Sequence, residues 1–301
     1  MEIICGKELN GKTVKSLLAE LKISAKTVTA LKKKPLGITV DGRHVTVRHV
    51  LKCGEVLALD ISDEQSSRNI VPSPLPVDVL FENESVIAVN KPPFMPTHPS
   101  HGHYDDTLAN ALCYRMQQSG EPFVFRPVNR LDRNTSGVVL IAKNRVSAAS
   151  LSESLQKGLI TKKYLAILDG VPAEKSGKIE TYIRRRQESI IYREVCEKMS
   201  DADYALTEYE VMEVSGDRAL VCASPITGRT HQLRLHFAHI GCPIIGDDLY
   251  GLESGMIGRQ ALHAYLLSFP CPQSGKKITA AAPLPQDLKE ALKKLGFKYE
   301  R

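Results

Sequence analysis

No uninterrupted apolar stretch in this 301-residue chain approaches the roughly 18–20 residues that a membrane-spanning helix requires. The opening residues, Met1 to Glu8, carry no apolar run of the length a secretory leader needs. A cytoplasmic protein with no membrane partner is the expectation. The seven cysteines, Cys5, Cys53, Cys113, Cys196, Cys222, Cys242 and Cys271, are odd in number and far apart. None forms a C-x-x-C pair, so neither a zinc ribbon nor a thioredoxin-type site is available, and reduced thiols are expected. The patterns G-x-S-x-G, G-x-G-x-x-G and G-x-x-x-x-G-K-[ST] are all missing, which leaves nucleotide-driven chemistry and nicotinamide redox without support. Two histidine groups remain, His98, His101 and His103, and His231, His236 and His239. Neither has ligand spacing with a third partner, so no metal and no cofactor are expected.

What the chain does have is an ordinary globular balance, 43% hydrophobic and 25% charged, enough for a real core. Its net charge of +6 is unevenly placed. Residues 1–60 hold 11 Lys+Arg against 6 Asp+Glu, a net of +5, and the other 241 residues net only +1. A small basic module on a near-neutral body suits a polyanion partner, although so small an excess also serves solubility alone. Val14, Leu17, Leu18 and Leu21 fall on one face of a helix. Ser24 is placed to cap a second helix from Ala25 that carries Val28 and Leu31 inward and ends in Lys32-Lys33-Lys34 before Pro35. Ile38-Thr39-Val40, Asp41-Gly42 and Arg43 to Val47 read as a hairpin, and a strand from Val56 to Ile61 follows Gly54. Two short helices, a hairpin and outward Lys and Arg resemble the S4 RNA-binding domain. The resemblance implies an RNA-binding module over residues 1–62, with Lys32, Lys33 and Lys34 among its contacts.

Residues 63–78 read as a linker, rich in Ser, Asp and Glu, with Pro72, Pro74 and Pro76 at alternate positions, where a sheet cannot pair. From Val79 the texture changes to short apolar strands punctuated by turns: 85–90, 137–142, 164–168, 209–212 and 219–223. Helices are expected near Leu108–Met116 and Val146–Gln156, the latter stopped by Gly158. A last one starts near Pro285, carries Leu288, Ala291, Leu292 and Leu295, and ends at Gly296. Strands outnumber helices without regular β-α alternation. The fold class is therefore α+β, with a mixed, largely antiparallel sheet over residues 79–301.

The most informative stretch is Pro127-Val128-Asn129-Arg130-Leu131-Asp132-Arg133-Asn134-Thr135-Ser136-Gly137. It sets one carboxylate between two guanidinium groups ahead of a buried strand, and on its own it is equally a turn with a salt bridge. Two further segments follow in order: Lys162-Lys163-Tyr164-Leu165-Ala166, and Thr227-Gly228-Arg229-Thr230-His231-Gln232-Leu233-Arg234-Leu235-His236, continued by Gly246-Asp247-Asp248-Leu249-Tyr250-Gly251. With Val89-Asn90-Lys91-Pro92 upstream, these resemble the R-L-D-x-x-T-S-G, K-x-Y-L-A and T-G-R-T-H-Q-L-R-x-H motifs of the RluA-type pseudouridine synthases. The match covers roughly residues 79 to 283. It departs from the family at Asn129, commonly His, and at Phe94, often Gly.

The resemblance implies a pseudouridine-synthase-like fold and an isomerase that turns uridine into pseudouridine in structured RNA, ribosomal RNA more than transfer RNA. Breaking an N-glycosidic bond and rejoining the ring through C5 consumes no electrons, phosphoryl groups or metal, and one carboxylate suffices as nucleophile or base. That role falls to Asp132, with Arg229 as the cation that keeps it ionised and Tyr164 against the flipped uracil. Arg130 is implied as the side chain that fills the gap in the stack. RNA contacts are implied for Asn129, Lys91, Thr135 and His231, and an apolar pocket wall for Leu233 or Leu235. A monomer is expected. The competing readings are a non-catalytic RNA-binding protein on the same fold and a hydrolytic N-glycosidase. The second lacks an identifiable second carboxylate.

Overall fold

The computed structural model describes residues 1–21, 23–61, 67, 69–120, 122–189 and 191–299. In chain order the elements are β1 (Glu2–Ile4), α1 (Val14–Glu20), α2 (Ala25–Lys33), β2 (Ile38–Val40), β3 (Arg43–His44), β4 (Val56–Leu59), β5 (Asp78–Glu82) and β6 (Val86–Lys91). Then come α3 (Leu108–Gln117), β7 (Ser136–Ala142), α4 (Arg145–Gln156), β8 (Thr161–Asp169), β9 (Ser176–Arg185), β10 (Arg193–Cys196) and β11 (Asp203–Ser215). The chain closes with β12 (Arg218–Pro225), α5 (Gln232–His239), β13 (Leu262–Pro270), β14 (Lys277–Ala281) and α6 (Gln286–Lys294).

The first four strands form their own sheet, ordered β1-β4-β2-β3, over a separate core of Val14, Leu17, Leu18, Leu31, Ile38, Leu57 and Leu59. Thr13 and Ser24 cap α1 and α2 through their hydroxyls, satisfying backbone donors that the first helical turn leaves open. Asp41 and Gly42 both take positive φ, the geometry a two-residue hairpin turn demands. Two details differ from expectation. Leu21 is 42% exposed, because it ends α1 as the cap rather than continuing its buried face. The second arm of the hairpin is only two residues long, since Val45 to Val47 fold back toward α1, where Lys15 donates to the Val47 carbonyl.

Part of the expected linker, residues 63–66 and 68, lies outside the described residues. Its described remainder up to Val77 holds no helix or strand, yet it is tied to the larger body. The Ser67 N–H donates to the Phe123 carbonyl and its hydroxyl accepts from the Phe125 N–H, and Asn110 donates to the carbonyl of Val71.

The large sheet runs β10-β9-β11-β12-β8-β13-β7-β6-β5, with β14 added to β13. Among the described residues only β13 and β7 pair in parallel as strands of this sheet; its other strand pairings are antiparallel. Both faces of its centre are covered. Ile87, Val89, Val139 and Ile141 face the larger core with α3 and α6, and their neighbours Val86, Ala88, Val138 and Leu140 face a second one beside α4. That alternation follows from the two-residue period of a strand. The parallel contact needs a glycine. Gly137 has φ +118°, and a Cβ there would lie 2.2 Å from the Ala264 carbonyl oxygen. The first residues of β7 are thus drawn against β13, and with them the end of the loop that carries Asp132. At the far end, Gly296 and Phe297 return hydrogen bonds to Lys293 and Leu292, closing α6 in a Schellman motif.

Candidate active site

Asp132 rides on a loop whose backbone is held from both sides. The buried Thr97 hydroxyl donates to the Leu131 carbonyl at 2.9 Å and accepts from the Leu131 N–H. Lys91 donates to the carbonyls of Pro92, Met95 and Arg133. Arg259, 2% exposed, donates to the Asn134 carbonyl and the Ser136 hydroxyl while Asp287 at the start of α6 grips its other edge at 2.7 and 3.0 Å. Gln260 donates to the Thr135 hydroxyl. None of these contacts uses the Asp132 carboxylate, so the loop is positioned without it.

These contacts revise three sequence expectations. Lys91 is fully buried and its three donors are spent on main chain; burial pushes its pKa down to about 7, against the pull of Asp132. It supports the loop instead of reaching RNA. Asn129 bridges β7, donating to the Val138 carbonyl and accepting from the Leu140 N–H, so its amide replaces missing backbone partners. Thr135 is 2% exposed and bound to Gln260. Phe94 takes φ +64°, which explains why glycine suits this position; its carbonyl accepts from Arg133.

The cation beside Asp132 is Arg234, not Arg229. Arg234 Nη1 lies 4.0 Å from Asp132 Oδ2. Its Nε and Nη2 bind the two oxygens of Asp247 at 2.7 and 2.5 Å, and Nη2 also reaches Asp248 at 2.9 Å. Its side chain is 5% exposed, that of Asp247 0% and that of Asp132 23%. Burial works against the guanidinium charge, but Asp247, Asp132 and Asp248 outweigh it and raise its pKa. Asp247 is fixed in turn by the N–H groups of Leu249 and Tyr250. A bidentate clamp on one edge leaves the other edge aimed at Asp132. Arg229 is turned away: Nη1 pairs with Asp203 at 3.3 Å, and Nε donates to the Tyr204 carbonyl. It borders the cavity without touching the carboxylate.

The start of α5 sets this geometry. Gln232 accepts from the Thr227 hydroxyl and the Arg229 N–H and donates to the Leu206 carbonyl, folding the turn before the helix. His231 takes the left-handed φ of +57° at the cap. Its Nδ1 meets the Tyr250 hydroxyl at 2.9 Å, and that hydroxyl also accepts from the Arg193 N–H. Burial, with Arg234 and Arg193 nearby, pushes the His231 pKa down despite Asp132 and Asp247. Leu233 lines the cavity, whereas Leu235 packs with Ile183 and Ala205 on the opposite side of α5 and is no part of the wall. His236 spends Nε2 on Thr181.

Asp132, Tyr164, Leu233 and Arg234 surround a cavity of about 380 Å³, with Arg130 exposed at its rim. That volume falls within the roughly 300–1,000 Å³ of small-molecule sites. Tyr164 is 8% exposed, and burial together with the Asp132 charge pushes its phenol well up, so it stays protonated. Among the described residues its hydroxyl has no hydrogen-bond partner, leaving it for a bound ring. The sequence reading assigned no role to Arg234 and Asp247, although both stood in the quoted motifs. An arginine within the apolar run Leu233, Leu235 and Phe237 signals a buried charge, and a buried charge demands a carboxylate.

The loop's support has a measurable consequence. His263 accepts from or donates to Ser136 through Nδ1 at 2.9 Å, and its Nε2 faces the Ala282 carbonyl at 3.3 Å. The carbonyl accepts, so Nε2 carries the proton and Nδ1 accepts from the Ser136 hydroxyl. Burial pushes the His263 pKa down to about 4, and that of His236 likewise. Between the free-histidine value of about 6.5 and about 4 the unfolded chain binds protons that the folded chain refuses. Stability should therefore fall as pH falls through that window, by about 3 kcal/mol per histidine once pH reaches 4. Urea unfolding at pH 7 and 4 should show the drop, and His263→Asn should remove about half of it, the share of His236 remaining. A wild-type stability unchanged between the two pH values would contradict the burial of neutral histidine here.

Comparison with known proteins agrees with the geometry. Residues 85–239 match the family model of RNA pseudouridylate synthases. The chain is 38% identical over 281 residues to an uncharacterized RNA pseudouridine synthase, YjbO, of Bacillus subtilis, covering 93% of this chain and 98% of the relative. It is 35% identical to the ribosomal large subunit pseudouridine synthase D of Zymomonas mobilis, covering 81% and 80%. Among solved structures, human RNA pseudouridylate synthase domain containing 1 superposes with a TM-score of 0.58 at 30% identity, over 70% of this chain and 84% of the other. A sheet of this order with one clamped carboxylate in a nucleotide-sized cavity defines an isomerase of the pseudouridine synthase class. The chain belongs to the RNA pseudouridylate synthase family, in its RluA-type branch.

Proposed function

We propose that this enzyme isomerises uridines in ribosomal RNA, with Asp132 as the reacting carboxylate. The observation that carries the reading is the Asp132–Arg234–Asp247 arrangement inside the cavity. The N1–C1′ bond of uridine breaks and a C5–C1′ bond forms; C5 loses its proton and N1 gains one. Asp132 supplies the electron pair for the first change, at C1′ or on the ring, or takes a ribose proton. Arg234 holds the carboxylate anionic throughout, and its own charge is fixed by Asp247. A base stacked in RNA is out of reach, so the uridine must evert into the cavity. Tyr164 packs against the ring and Leu233 closes the apolar side. Arg130, exposed at the rim, fills the space the base leaves.

Residues 1–62 form an S4-like RNA-binding module, residues 63–78 a connector and residues 79–301 the catalytic domain. The separate core and four-stranded sheet of the N-terminal part support this division, as do Lys32 and Lys33 exposed in the last turn of α2. Lys34 is partly spent on Asp60, at 3.0 Å. The relatives named for the ribosomal large subunit support that RNA as substrate. No helix among the described residues is long and apolar enough to cross a membrane.

Unmodified transcripts of large-subunit RNA, small-subunit RNA and transfer RNA, labelled with tritium at uridine C5, test the proposal. Release of tritium with new pseudouridine in large-subunit RNA is expected. Product in transfer RNA alone would overturn the substrate, and free uracil in place of pseudouridine would overturn the reaction.

A further inference from the structure

We propose that Lys162 binds a backbone phosphate flanking the everted uridine, so that one strand, β8, grips both base and backbone of the reacting nucleotide. The assignment rests on the isomerisation reading above and adds a contact to it.

Three basic side chains that border the cavity apart from Lys162 are accounted for. Arg234 is clamped by Asp247 and Asp248, Arg229 is paired with Asp203, and Arg130 is exposed at the rim. Lys162 also lines the cavity, but among the described residues no carboxylate pairs with it. Its contact is the Thr227 carbonyl at 3.5 Å, at the outer limit of a hydrogen bond. Burial lowers its pKa: the ammonium is held where water is scarce and no protein anion offsets the cost. An arriving anion would supply the missing counter-charge.

The strand determines which anion. Residues two apart in a strand project from the same face, about 6–7 Å from each other. Lys162 and Tyr164 therefore enter the cavity side by side. Exposure falls along β8 from Thr161, which is exposed, through the half-buried Lys162 to the buried Tyr164. Tyr164 sits deep beside Asp132, and Lys162 sits nearer the mouth. An everted nucleotide enters with its base innermost and its phosphates trailing toward the mouth, in the same order. The uracil ring is neutral, so only the backbone brings negative charge. Gly228 leaves the space beside the ammonium open: a Cβ there would meet nothing but Lys162 Nζ, at 3.8 Å.

Lys162→Met keeps an unbranched side chain of nearly the same reach and removes the charge. With C5-tritiated ribosomal RNA transcripts, it should lower kcat/KM about 10–100-fold, mostly through KM. The slope of log kcat/KM against log salt should become shallower by about 0.7–0.9, one phosphate's share. Lys162→Gln should behave alike, and Lys162→Arg should recover most of the loss. A residue that merely packs would change the melting temperature without moving the salt slope. Wild-type protein that releases no tritium from any RNA would remove the isomerisation reading, and this contact with it. Active wild type, with neutral variants that keep its salt slope or an arginine variant that recovers nothing, would overturn the phosphate assignment alone.

Discussion

Asp132→Asn should lower pseudouridine formation by on the order of 10⁴-fold or more, while the melting temperature stays within a few degrees of wild type. The two halves of this expectation have separate causes. The loop is held through Thr97, Lys91, Gln260 and Arg259, all on main chain or on other side chains, and the Thr135 N–H is received by the Asp132 backbone carbonyl. Asparagine preserves that backbone and nearly the same volume. What it lacks is a charge able to attack or abstract. The neutral amide also leaves Arg234 fully compensated by Asp247 and Asp248, so no buried cation is stranded. Stopped assays on labelled transcripts, paired with thermal melts, measure both halves. Substantial turnover by a folded Asp132→Asn protein would remove the carboxylate from the mechanism.

Arg234→Lys is expected to be nearly as damaging, with kcat reduced about 10²–10³-fold. A lysine keeps the sign of the charge but not the shape. The guanidinium uses Nε and Nη2 on Asp247 and Nη1 toward Asp132; a single ammonium cannot span both carboxylates. It would settle on the buried Asp247, the stronger partner, and abandon Asp132. Arg229→Lys provides the contrast, because Arg229 pairs with the exposed Asp203 and a flexible ammonium can maintain that contact. The Arg229 variant should keep kcat within a few fold of wild type. Should Arg229→Lys abolish turnover and Arg234→Lys spare it, the assignment of the two arginines made from the structure would be reversed. Removing Asp247 tests a different quantity. It leaves a buried arginine without its main partner, a loss that typically costs about 3–5 kcal/mol of stability, so Asp247→Asn should melt far below wild type.

The features legible in the sequence are those fixed by local rules. The Asp41-Gly42 turn, the cap at Ser24 and the Gly296 stop after α6 each rest on a residue whose backbone or side chain permits one local geometry. The Pro127–Gly137 segment was recognisable as the site only through its resemblance to a family motif, since its local pattern alone reads as a turn, and Gly137 proved to be required by the close approach of β13. What stayed hidden depends on contacts distant in the chain. The strand β9 alternates Ile179, Thr181 and Ile183 inward, but Thr181 is polar, and its hydroxyl finds its partner in His236, 55 residues away. The strand β13 holds the buried His263, whose partner Ser136 is 127 residues away. The choice between Arg229 and Arg234 had the same character. Both lie in one motif, and the clamp of Asp247, 13 residues beyond Arg234, holds that arginine with its free edge toward Asp132. The nearness of Asp203 draws the other away.

The most direct test is a crystal structure of the enzyme with RNA carrying 5-fluorouridine at the modified position. The account predicts an everted ring in the cavity beside Tyr164, its reacting atoms within about 3.5 Å of the Asp132 carboxylate, and Arg234 still bound to Asp247. A target nucleotide that remains stacked in the RNA, or one seated with its ring against Arg229 and away from Asp132, would contradict it.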